Sequence, residues 1–396
     1  MKLAARVESV PPSVTLAVTS RAKAMQADGI DVVSFGAGEP DFDTPEPVRR
    51  AGVAAIEEGQ TRYTPAAGTP ALKAAVARKL ERDNGLAYAP GEIIISCGAK
   101  HALYNLFQVL CEPGDECLIP APYWVSYPQM ARLAGATPVT PAAGREAGFK
   151  LSPEAFEAAI TTRTRLVLFN SPSNPTGAVY SEEEIRALAE VFLAHEDLWV
   201  ISDEIYEKLV YGEARHFSIA SVSPEMKART LLVNGHSKAY AMTGWRLGYA
   251  AGAKEVIAAA GRLQSHSTSN PASMCQAAGI VALDAGEEAA GAMRVEFEKR
   301  RDRIVKLLNA IEGVECPRPD GAFYVFPDVS AHYGRTLRGV EVTDSVSFAQ
   351  AALDLVHVAL VPGAGFGFDA CVRLSYATSM GKIEEGVSRL ARLLAT

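Results

Sequence analysis

Thr230-Leu231-Leu232-Val233-Asn234-Gly235-His236-Ser237-Lys238-Ala239-Tyr240-Ala241-Met242-Thr243-Gly244-Trp245-Arg246 opens as an apolar run and breaks into a polar loop. A short apolar run bounded by turn formers suits a strand buried on both faces. Four runs of the same kind precede it: Glu92–Ser96, Glu116–Pro120, Arg165–Asn170 and Leu198–Ser202. Helical patterns separate them, among them Ala99–Cys111 and Glu182–Ala194, the second opening on a Ser-Glu-Glu-Glu start signal. The alternation predicts an α/β fold, a mostly parallel sheet covered by helices in a large domain over residues 46–288. Beyond it, the charged helical stretch Ala289–Ile311, the segment Gly321–Phe326 and a helix near Ser345–Leu355 predict a smaller α+β domain over 289–396. The N-terminal segment 1–45 is expected to join the smaller domain and the site. A cleft between two such domains is a natural place for a small ligand.

The bulk properties agree with a soluble two-domain protein. The chain has 396 residues, 48 % hydrophobic and 21 % charged, too long for one ordinary core. Net charge is −7 with both signs mixed along the chain, which argues against a nucleic-acid surface. No apolar run reaches the ~20 residues that span a bilayer. The N-terminus lacks a continuous apolar core and a cleavage site, so a cytoplasmic location is expected. Six scattered cysteines show no C-x-x-C pair, and the seven histidines are isolated, so no metal site is expected.

In open α/β sheets, ligands collect beyond the C-terminal ends of the strands. Three polar clusters fall at such ends. Arg165–Phe169 leads to Ser171-Pro172-Ser173-Asn174-Pro175-Thr176-Gly177, Leu198–Ser202 to Asp203-Glu204-Ile205-Tyr206, and Thr230–Val233 to the loop of Lys238 and Arg246. Singly each reads as an ordinary loop. Together, and in this order, they resemble the signature of the aspartate aminotransferase family, fold type I of the pyridoxal phosphate enzymes. Nearly the whole chain takes part: Gly36–Phe42 (GAGEPDF), Arg62–Gly68 (RYTPAAG), Pro122-Tyr123-Trp124 and Val372–Ala377 (VRLSYA) match as well. The block from Ser237 to Tyr249 is the most specific and is similar to the branch of thermophilic bacterial aspartate aminotransferases.

The resemblance implies a pyridoxal-phosphate-dependent aminotransferase that carries pyridoxal 5'-phosphate as a Schiff base on Lys238. The same amine, once freed, moves the proton at the substrate Cα, which calls for a depressed pKa. Asp203 is implied as partner of the protonated ring nitrogen. At ~4 Å and an effective dielectric of ~20, that pair is worth roughly 4 kcal/mol. Asn174 and Tyr206 are implied at the ring hydroxyl and Trp124 on the ring face. Ser237, Arg246, Ala99 and Lys100 are implied around the phosphate, the last two at a helix start where N–H groups suit an anion. Tyr63 is implied to reach the phosphate of a partner subunit, in a homodimer with shared active sites. Arg373 is implied as the clamp for the substrate α-carboxylate, with Gly38, Trp124 and Asn174 lining the same pocket. Because the clamp and Lys238 fall on different domains, substrate binding is expected to close the cleft.

The best substrate pair on this resemblance is aspartate with 2-oxoglutarate, by a ping-pong mechanism. One departure weakens the case for dicarboxylates: related sequences often carry a basic residue before the Pro-Ser-x-Thr stretch, where this chain has Pro11. Ser13 and Thr15 remain as donors to a substrate side chain. Aromatic or aliphatic amino acids, prephenate, or a lyase or decarboxylase reaction on the same fold stay open. A pyridoxal-phosphate-sensing regulator would need a helix-turn-helix extension, for which the segment before Gly36 is short. A nicotinamide dehydrogenase would need G-x-G-x-x-G, which neither Gly36-Ala37-Gly38 nor Gly363-Ala364-Gly365 completes. His236, His101 and Cys97 are read as packed or solvated side chains near the site.

Overall fold

A computed structural model of the chain describes residues 3–12 and 14–395. Its main sheet has seven strands: β1 (Ile93–Ser96), β2 (Glu116–Leu118), β3 (Thr137–Val139), β4 (Thr164–Asn170), β5 (Trp199–Asp203), β6 (Thr230–Gly235) and β7 (Gly248–Ala251). They lie in the order β1-β7-β6-β5-β4-β2-β3. All pairs from β6 to β3 are parallel, and β7 runs antiparallel to both β6 and β1. The mostly parallel α/β sheet expected from the sequence is therefore present.

Two strands carry no signal in the sequence. Thr137–Val139 is a three-residue edge strand with Pro138 inside it, where a missing donor is tolerated. Gly248–Ala251 has no β-branched residue. It is held as a strand by its two neighbours.

Successive strand residues feed two different cores, as a period of two requires. Ile94, Leu231, Val233 and Ala250 pack on one face with Leu103 and Leu106 of the helix Ala99–Leu110. Ile93, Ile95, Leu232 and Tyr249 pack on the other with Leu72 and Val76 of the helix Pro70–Asn84. The start signal at Ser181 forms a full capping box with Glu184 at the head of Glu182–Leu193.

The C-terminal part is built on a small antiparallel sheet. Val372–Ser375 lies between Val361–Pro362 and Tyr324–Val325. The helices Glu287–Leu308, Ser345–Val356 and Met380–Leu394 contribute Phe297, Phe348 and Ile383 to its core. Ile205 and Leu209, just past β5, enter the same core. The N-terminal strand Val33–Ser34 pairs in parallel with Val358–Ala359, and the Phe35 carbonyl accepts from Ser375 N at 2.9 Å. From there Gly36–Glu39 crosses to the end of the main sheet. Among the described residues no helix is long and apolar enough to cross a membrane.

Candidate active site

Three adjacent strands, β4, β5 and β6, end at Asn170, Asp203 and Gly235. Their loops, the start of Ala99–Leu110, the Gly36–Glu39 crossing and one side of the helix Val14–Ala27 enclose a cavity of about 570 Å³. Sheet order alone brings Asn174, Asp203 and Lys238 to its floor. Ala99, Lys100 and Trp124 also line it, as do Gly38, Tyr206, Ser237, Arg246 and Arg373.

Asp203 lies at the bottom, almost wholly buried. One carboxylate oxygen accepts from the Tyr127 hydroxyl at 2.7 Å, the other from the Ile205 amide at 3.2 Å. Burial pushes its pKa from an ordinary 3.8 up to about 6, against the pull of the Tyr127 hydrogen bond. No ion pair with Asp203 forms within the protein, among the described residues. Such a carboxylate is poised for a cationic partner entering from the cavity.

Lys238 donates to the Gly38 carbonyl across the cavity. Burial brings its ammonium down to about 8; Glu39 opposes the change, while Arg373 and Arg246 add to it. An amine in this range is a usable nucleophile and base near neutral pH.

Above Lys238 is a cradle of donors. Gly98, at φ +85°, precedes the helix Ala99–Leu110, and a Cβ there would lie 2.6 Å from an Arg246 nitrogen. The guanidinium therefore packs directly on backbone, next to the helix start. Arg246 is held by the Thr243 carbonyl at 2.8 Å and lines the cavity. A Cβ at Gly248 would strike Ala99 N at 2.2 Å, so glycine at the head of β7 lets that helix sit on the sheet edge. Ser237 adds a hydroxyl with no partner in the protein, among the described residues. Helix N–H groups, a hydroxyl and a guanidinium together form an anion site.

Arg373 stands on the opposite wall, in the centre of the small sheet, and is almost fully buried. Its two terminal nitrogens donate to Asn174 Oδ1 and to the Gly36 carbonyl, each at 3.0 Å. Its Nε is buried without a partner. A buried guanidinium that lines a cavity with an unsatisfied N–H calls for an incoming anion. Gly38 lines the cavity as expected, its carbonyl accepting from Lys238, and the Gly36 carbonyl holds the arginine. Trp124 stands edge-on to Tyr127 at 5.2 Å, with the Lys100 ammonium 4.6 Å from its ring centre.

Tyr63 is not brought into this cavity; it is 92 % exposed on the outside of the chain. Pro11 is likewise exposed and outside the cavity, whereas Thr15 lines it; Ser13 lies outside the described residues. His236 is buried behind the site against the Gly279 carbonyl at 3.2 Å, and burial lowers its pKa to about 4. His101 accepts from Cys97 N at 3.4 Å. Neither lines the cavity. The sequence reading missed Tyr127, Tyr324 and Glu39 as cavity residues. Glu39 lies in the matched Gly36–Phe42 stretch; the two tyrosines look like core aromatics in sequence. Behind β5, Glu204, Glu207 and His216 approach one another closely, but Lys79 already neutralises Glu207 there.

The family model for class I and II aminotransferases matches residues 30–390. The aspartate aminotransferase of Geobacillus stearothermophilus is 52 % identical over all of this chain and 99 % of its own length. The aspartate/prephenate aminotransferase of Cereibacter sphaeroides is 50 % identical over 98 % of this chain and 97 % of its own. The Thermus thermophilus aspartate aminotransferase with maleate superposes with a TM-score of 0.93 at 44 % identity, covering all of both chains. Enzymes of this class depend on pyridoxal 5'-phosphate. The residues present fit that group: a depressed lysine for its aldehyde, a buried carboxylate without a cation for its ring nitrogen, and a donor cradle for its phosphate. The chain belongs to the class I and II aminotransferase family and is a pyridoxal-phosphate-dependent enzyme.

Proposed function

We propose that this protein is an aspartate aminotransferase, moving the amino group of L-aspartate to 2-oxoglutarate in two half-reactions. The charge of the cavity carries the reading. Among the described residues, Lys23, Lys100, Lys238, Arg246 and Arg373 line it against two carboxylates, Asp203 and Glu39. That balance suits a phosphate and a dicarboxylate together.

In this reading Ser237, Arg246 and the N–H groups of Ala99 and Lys100 hold the phosphate. Asp203 would keep the ring nitrogen protonated, Asn174 and Tyr206 would bond the ring hydroxyl, and Trp124 would pack on the ring. When bound, pyridoxal phosphate supplies the electron sink for the pair released as the Cα–H bond breaks. The Arg373 guanidinium would pair with the substrate α-carboxylate and so orient the Cα–H bond toward Lys238. Lys100, lying over Trp124, offers its cation to the second carboxylate, a role open because Pro11 supplies none. Lys238 would hold the cofactor aldehyde, and its amine, when free, would take the proton from the substrate Cα and return it.

The same reading divides the chain into an N-terminal segment 1–45, a large domain 46–288 and a small domain 289–396. The pairing of Val33–Ser34 with Val358–Ala359 supports it. It also takes the enzyme as a cytoplasmic homodimer, in which the exposed Tyr63 completes the partner's phosphate site. Mixing Tyr63→Ala with Lys238→Ala subunits should then restore activity that neither variant has alone.

An absorbance spectrum tests the central claim. Aspartate should remove the visible band of the loaded enzyme, and 2-oxoglutarate should return it. A band indifferent to aspartate would overturn the substrate assignment. The Cereibacter sphaeroides relative favours prephenate as a second acceptor, which the same cycle checks when prephenate replaces 2-oxoglutarate.

A further inference from the structure

Tyr324 stands between two residues to which the proposed reaction gives separate tasks. It pairs with Ser375 across the small sheet, and directly opposite residues share a face, as do residues two apart on one strand. Its ring therefore points to the same side as Arg373. The guanidinium carbon lies 4.5 Å from the ring centre. The Tyr324 hydroxyl is 2.8 Å from that of Tyr206. Both rings are buried, and a Cβ at Gly38 would come within 3.0 Å of the Tyr324 oxygen, so glycine there leaves the hydroxyl its place.

A tyrosine hydroxyl has one hydrogen to give. If Tyr206 donates to the cofactor's ring oxygen, it must accept from Tyr324. We propose that Tyr324 is a positioning residue that couples the carboxylate clamp to the cofactor: its hydroxyl donates to Tyr206, and Arg373 over its ring sets the strength of that donation. A bare guanidinium favours electron withdrawal from the hydroxyl and a stronger donor. A carboxylate arriving at Arg373 offsets that charge and weakens the bond chain that ends on the cofactor oxygen. By linkage, the state of the cofactor in turn biases the affinity of the clamp. The inference rests on the placement of Tyr206 proposed above.

The test uses the loaded enzyme. Its visible band is titrated against pH, with and without saturating maleate, in the wild type, Tyr324→Phe and Tyr206→Phe. Tyr324→Phe keeps the ring over Arg373 and removes only the donor. Losing that donor disfavours negative charge on the cofactor oxygen, so the midpoint should rise by roughly 0.5–1 pH unit. The displacement of the midpoint by maleate should shrink, and kcat should fall several-fold while KM for aspartate changes by less than about twofold. A shift in Tyr206→Phe with none in Tyr324→Phe would overturn the role of Tyr324 and leave Tyr206 where it was placed. No shift in either would overturn both. An undiminished maleate displacement in Tyr324→Phe would refute the coupling.

Discussion

Replacing Asp203 by Asn should move stability and activity in opposite directions. Folding raises the pKa of this carboxyl from 3.8 to about 6, chiefly by burial. An acid raised in this way binds its proton more tightly in the folded chain. The resulting cost is nearly absent below 3.8, grows between 3.8 and about 6, and is complete above that range. At 1.36 kcal/mol per pH unit it amounts to about 3 kcal/mol in the cofactor-free protein. Asn keeps an acceptor for the Tyr127 hydroxyl but presents N–H to the Ile205 amide or loses that bond, a loss of about 1 kcal/mol. The net gain at neutral pH is about 2 kcal/mol. Spread over the unfolding entropy of a chain this size, it raises Tm by roughly 2–3 °C. The loaded enzyme should lose about 4 kcal/mol of ring pairing, or roughly a thousandfold in kcat. Thermal scans of the cofactor-free variant at pH 7.5 and pH 4 read the first effect, and a single-turnover rate reads the second. A gain of equal size at both pH values, or a lower Tm at pH 7.5, would refute the burial argument.

Three further outcomes are expected. If Lys238 captures pyridoxal phosphate as proposed, it does so as the neutral amine, whose pKa is lowered to about 8; the uptake rate should climb about tenfold per pH unit below 8 and level off above it, whereas a climb continuing to pH 10 would contradict the depressed amine. Arg373→Lys cannot reproduce the fork to Asn174, Gly36 and a carboxylate at once, so KM for aspartate should rise about 10- to 100-fold with cofactor still bound; an unchanged KM would remove Arg373 from the substrate. Gly98→Ala places a methyl against Arg246 at a left-handed backbone position, and the cofactor Kd should rise about tenfold in a fluorescence titration; unaltered affinity would show that the cradle gives way without cost.

The part of this protein written in local sequence is the part that depends on period and punctuation. Apolar runs closed by turn residues located β1, β2, β4, β5 and β6, because strands buried on both faces need no partner to be recognisable. The polar residues after those runs, Asn174, Asp203 and Lys238, were legible as site candidates because strand ends are where such sheets hold ligands. Motif order then supplied Arg246, Trp124 and Arg373. Tertiary structure decided the rest. Arg373 reaches Asn174 across 199 residues of chain, a contact made by sheet order and by the return of the N-terminal strand. Tyr127 and Tyr324 are ordinary aromatics in sequence; their hydroxyls matter only because packing aims them at Asp203 and Tyr206. Tyr63 sits in a matched stretch yet is exposed and does not line its own chain's cavity. The pKa values near 6 for Asp203 and near 8 for Lys238 belong to no residue type. They arise because folding withdraws both groups from water and sets the charges around them, and neither burial nor distance is encoded in any one segment of chain.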